Sequence, residues 1–107
     1  MALSETIYTA LSSMTNREVG AWTGSPGVNH VVIVPDYMRH FPADNDDYVS
    51  EEYFNLEFYV SGDYRSAVST AKTALKAAGL VIDEERYQGY EPDTKQHHYT
   101  LAVIGRV

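Results

Sequence analysis

The chain has 107 residues, no cysteine and a formal charge of −7. That length allows one hydrophobic core and one domain, 1–107, because a domain this small already leaves much of its surface in water. Disulfides and thiolate metal sites or nucleophiles are excluded. The sequence has no stretch near the roughly 20 apolar residues that span a bilayer. Its first residues carry Ser4 and Glu5 where a signal peptide would carry bases, so the expected setting is the cytoplasm, without a membrane.

The first apolar residues, Leu3, Ile7, Ala10, Leu11 and Met14, recur at helical spacing and predict a helix that stops before Asn16. A turn-rich connection follows, with Gly20, Gly24, Pro26 and Gly27 around the anchoring aromatic Trp22, and a short strand over 19–23. His30 to Val34 is a β-branched run closed by Pro35, which cannot donate to a ladder. Residues 36–50 lack sustained periodicity and predict a long acidic loop; loops of that length in a compact domain are functional or mobile.

From Glu51 the pattern alternates strictly. Phe54, Leu56, Phe58 and Val60 face one way, and Tyr53, Asn55, Glu57 and Tyr59 the other. The first set is core. The second is a half-polar face of the kind protein interfaces favour, since tyrosine contributes contact area and a hydroxyl. Asp63 then N-caps a helix whose stripe is Tyr64, Ala67, Val68, Ala71, Ala74, Leu75 and Ala78, with Gly79 as its C′ residue. The alanines imply a close approach of helix to sheet. A strand from Leu80 to Tyr87, a turn at 89–94 and a strand carrying Tyr99, Leu101 and Val103 close the domain as a hairpin. The expected fold is α+β in the order α-β-β-α-β-β, a mostly antiparallel sheet of four or slightly more strands with helices on one face, its core running through 51–105.

The candidate chemistry is sparse. His97 and His98 are adjacent, so in a strand they point to opposite faces and cannot share a metal. Asp44, Asn45, Asp46 and Asp47 resemble the start of a calcium loop, but Val49 and Asn55 stand where an EF-hand needs glycine and glutamate; a solvated acidic loop is the expectation, with a weak divalent site left open. Carboxylates are plentiful without a pair set across a cleft, and no nucleophile elbow, phosphate loop or dinucleotide fingerprint occurs. Neither enzyme activity nor a cofactor nor a metal is expected. Asp36, Asp44, Asp46, Asp47, Glu51, Glu52, Glu57 and Asp63 share their stretch with the single base Arg39, which disfavours a nucleic-acid face.

The whole pattern resembles the tail terminator, or tail completion, proteins of long-tailed bacteriophages and prophages. The resemblance lies in the N-terminal helix, the strand ending in Val34-Pro35 and the loop with Ala43-Asp44-Asn45. It continues in the run Glu52-Tyr53-Phe54-Asn55-Leu56-Glu57-Phe58-Tyr59 before the alanine-rich helix, in Gly79-Leu80 and in the hairpin through Tyr87 and Tyr99. It implies a ring of six subunits that caps the tail tube and meets the head connector protein, assembled in the host cytoplasm and resident in the virion neck. DNA would pass through its opening without specific binding. The interface candidates are then Tyr53, Asn55, Glu57 and Tyr59 on the sheet and Asp44, Asn45, Asp46 and Asp47 in the loop, which is assigned to docking. A dimeric ligand-binding or regulatory α+β domain is the alternative, discriminated by whether a roomy pocket lies between helix and sheet.

Overall fold

The computed structural model describes residues 3–42 and 48–106. Its elements in chain order are α1 (Leu3–Ala10), β1 (Arg17–Val19), β2 (His30–Pro42), β3 (Tyr48–Val60), α2 (Tyr64–Ala77), β4 (Val81–Glu91) and β5 (Gln96–Arg106). The strands form one five-stranded sheet in the order β1-β2-β3-β5-β4. The fold is α+β as expected, but the sheet is mixed: β1 runs parallel to β2, with Arg17 opposite Val31 and Val19 opposite Ile33, and the other pairings are antiparallel. The extra strand makes the order α-β-β-β-α-β-β.

Alternation along β3 divides the sheet as the sequence predicts. Phe54, Leu56, Phe58 and Val60 are buried with Val31 and Ile33 of β2, Leu101 and Val103 of β5, and Val68, Ala71 and Leu75 of α2. Ile7, Leu11 and Met14 belong to the same cluster, so the core extends N-terminal to the 51–105 segment. The first helix is shorter than its apolar periodicity suggests: it ends at Ala10, and Leu11 and Met14 reach the core from the turns that follow. Burial of the spaced side chains does not require that the backbone between them stay helical.

Helix α2 has the predicted ends. The Asp63 carboxylate accepts from Ser66 N at 3.1 Å, and Gly79, at φ +89°, adopts the left-handed conformation that terminates helices. Gly105 lets the end of this layer close on the sheet. A Cβ there would lie 2.9 Å from both Leu3 Cδ1 and Leu80 Cδ2.

The largest departure lies at 36–50, predicted as a loop. β2 does not close at Pro35; it steps over Asp36 by a bulge and continues, with Tyr37 opposite Tyr53 and His40 opposite Ser50. Proline is tolerated because β1 stops opposite Ile33, so from there β2 has no described neighbour on its outer side, and an edge strand does not need every donor. The result is a two-stranded arm that continues past the C-terminal end of α2 and lengthens the molecule to 54 × 24 × 23 Å. Asp44, Asn45, Asp46 and Asp47 lie outside the described residues.

Candidate functional site

The sheet face away from the helices carries the sequence-predicted side chains Tyr53, Asn55, Glu57 and Tyr59, and the pairing sets each in a row. His30 of β2 and His98 of β5 are the cross-strand neighbours of Tyr59. The three rings stack nearly parallel, at 4.8 Å from His30 to Tyr59 and 4.4 Å from Tyr59 to His98, and Trp22 extends the stack at 4.3 Å from His30. Such pairs each contribute about 0.5–1.5 kcal/mol beyond buried area. Burial, followed by the neighbouring charge of Glu57, raises the Tyr59 hydroxyl above its ordinary pKa.

The loop before β2 is shaped to place the indole. Trp22 Nε1 donates to Ser25 O at 3.1 Å, and the Glu18 carboxylate accepts from Thr23 N and Oγ1, each at 2.7 Å. Gly24 lies beneath the ring, where an added Cβ would stand 2.3 Å from Trp22 Cζ2. Gly24→Ala is therefore expected to displace the indole from His30 while leaving the core intact. Trp22 is the single tryptophan, so a change in its fluorescence at an unaltered unfolding midpoint checks this.

Behind the stack the polar groups are matched. Glu57 Oε1 accepts from Thr100 Oγ1 at 2.6 Å and lies 2.7 Å from His98 Nε2, and Gln88 Nε2 donates to Thr100 Oγ1 at 3.1 Å. These side chains, with Asn55, Glu84, Arg86 and Ala102, line a shallow polar groove of about 270 Å³. Further along, Tyr37 stacks on Tyr53 at 4.2 Å. The predicted face therefore exists as one surface, but Tyr53, Glu57 and Tyr59 are already engaged with neighbours of their own chain. Tyrosines held in fixed rotamers lose little further entropy when a partner covers them, which suits a preorganised contact surface.

Sequence reasoning grouped neither His30 nor His98 with this face, and it missed Thr100, Gln88 and Gln96. Cross-strand register joins them, and one sequence does not print register. His97, on the other face, pairs its Nδ1 with the Tyr87 hydroxyl at 2.8 Å and lies against Tyr64. The two adjacent histidines thus do take opposite sides of β5. Among the described residues, no group of three or more His, Asp or Glu side chains could hold a metal ion.

On the helix side, Glu85 accepts from Lys72 Nζ and from the Tyr99 hydroxyl, both at 2.8 Å. These bonds hold the Glu85 carboxyl below its usual range. Burial first, and the bond to Glu85 second, push the Tyr99 hydroxyl up to about 12. The folded state then holds the phenolic proton more tightly than the unfolded chain. This contribution is fully present below the ordinary tyrosine value of about 10 and is lost as pH rises towards about 12. The denaturation midpoint is expected to fall over that window, and Tyr99→Phe to flatten the fall.

The sequence matches no protein-family model and no curated protein sequence. Among solved structures, the fold is similar to a chain in the structure titled "Virion of native gene transfer agent (GTA) particle", with a TM-score of 0.55 and 14% identity. That likeness covers 99% of this chain and 94% of the other. Fold and site together define an α+β domain with a preorganised polar-aromatic sheet face.

Proposed function

We propose that this protein is a non-enzymatic structural component of a phage-like virion, a tail terminator that forms a ring, caps the tail tube and joins it to the head. The observation that carries this reading is the likeness of fold along almost the full length of both chains to a component of a gene transfer agent particle. The resemblance in sequence pattern to tail terminators supports the more specific role and a ring of six. A sheet face whose tyrosines are already fixed in place suits repeated contact with neighbouring subunits. The net charge of −7 suits a channel through which DNA passes without being gripped.

Native mass spectrometry and negative-stain imaging of the full chain, alone and with tail tubes of the same particle, test the proposal. Six-membered rings at tube ends are expected. Persistence as a monomer in both conditions, or rings that never engage the tube, would sink it.

A further inference from the structure

One helix departs from the charge balance of the rest of the chain. α2 carries Arg65, Lys72 and Lys76 and no carboxylate in its 14 residues, within a protein of net charge −7. Lys72 is engaged by Glu85, which leaves Arg65 and Lys76 exposed on the outer face. Between them stand only small side chains, Ser66, Ser69, Thr70 and Thr73, all exposed, so another backbone can approach closely. Two cations are too few for strong phosphate-backbone binding, which takes several phosphate contacts to be tight at physiological salt.

The opposite charge is on the arm formed by the outer halves of β2 and β3. Asp36, Glu51 and Glu52 lie there with Arg39 as the only base in the described strands. The arm also exposes apolar surface, Tyr37 at 51% and Met38 at 45%. Isolated two-stranded ribbons are marginal in water, so such an arm gains from being covered. From Asp36 to Pro42 it rises about 20 Å, comparable to the roughly 16 Å from Arg65 to Lys76 along α2.

Within one molecule the arm and this helix face do not meet. α2 starts beyond Val60, runs back along β3 and ends where Ala78, Gly79 and Leu80 share a groove with Glu51 and Arg106, the level at which the arm departs. We infer that the arm of one copy lies across the outer face of α2 of the next copy, pairing Asp36 and Glu52 with Arg65 and Lys76 and covering Met38. This inference rests on the ring-forming reading. The contact is head-to-tail, the type that generates rings when the rotation closes.

Two reciprocal charge reversals test it. Arg65→Glu with Lys76→Glu makes both surfaces acidic; Asp36→Lys with Glu52→Lys makes both basic. Each variant alone is expected to self-associate at least tenfold more weakly than the parent in sedimentation, and an equimolar mixture to recover association. Because the chain has no cysteine, Ser69→Cys and Met38→Cys variants can be mixed and joined with a short bismaleimide. Helix-to-arm products are expected to dominate. A mixture that stays dissociated, absence of helix-to-arm products, or predominance of helix-to-helix and arm-to-arm products would overturn the inference. Closed rings without the helix-to-arm link would leave the ring reading standing. Linked copies that never close would remove the ring and keep the contact.

Discussion

Phe58→Ala is expected to lower stability by about 3–5 kcal/mol, the cost typical of truncating a large aromatic side chain in a close-packed core. Phe58 has no exposed surface and lies in the middle of β3, between Val31 of β2 and Tyr99 of β5. Its ring faces the helix layer in the cluster that includes Val68, Ala71 and Leu75. Alanines let α2 approach the sheet closely, which also means that few long side chains stand ready to fill the vacated space, so collapse around the cavity should be limited. Domains of this size are stable by about 5–15 kcal/mol, and the variant would spend part of its time unfolded near physiological temperature. Chemical denaturation checks this: the midpoint should drop with little change in slope. Asn55→Ala, on the opposite face of the same strand, should cost under about 1 kcal/mol. Equal losses at the two positions would contradict the assignment of faces.

The division of faces was legible in the sequence because strict alternation from Tyr53 to Val60 has one structural solution, and because Asp63 and Gly79 bracket a helix in the way capping chemistry requires. The α+β class followed from those signals. The arm was not legible. Pro35 ends the β-branched run, and residues 36–42 do not alternate because neither face of an arm beyond the helix layer is core, so the pattern that reports burial is absent where the strand continues. β1 was misplaced for a related reason: three residues at an edge, Arg17–Val19, carry too little burial to leave a period. The candidate face was half legible. Tyr53, Asn55, Glu57 and Tyr59 could be placed on one side of a strand, whereas the stacking of Trp22, His30 and His98 with Tyr59 depends on how β2 and β5 register against β3. That register is set by the buried rows on the other face, so the polar row inherits an alignment it does not determine.

That inheritance concentrates at Gln96, where the second large loss is expected. Gln96 is 1% exposed at the start of β5, and its Nε2 donates to Val28 O at 2.8 Å and to Tyr59 O at 3.3 Å. One buried amide thus ties the end of the Trp22 loop to the strand that carries Tyr59. Val28 O also lies 2.6 Å from His30 Nδ1, so it keeps a neighbour when the amide is removed, while Tyr59 O loses a donor. Asn29 reinforces the same corner by accepting from Ser61 N at 2.9 Å and Ser61 Oγ at 3.1 Å. Gln96→Leu retains much of the volume and removes the donor, so the expected cost is about 1–3 kcal/mol, the penalty for under-satisfied buried carbonyls. Because the loop is anchored there, the effect should reach the surface: Trp22 fluorescence should change together with stability, in contrast to Gly24→Ala, where it changes alone. Hydrogen exchange should quicken around residues 28–30 while the middle of β3 stays protected. A Gln96→Leu protein with parental stability and an unperturbed Trp22 would show that the aromatic row holds its own alignment without the amide beneath it.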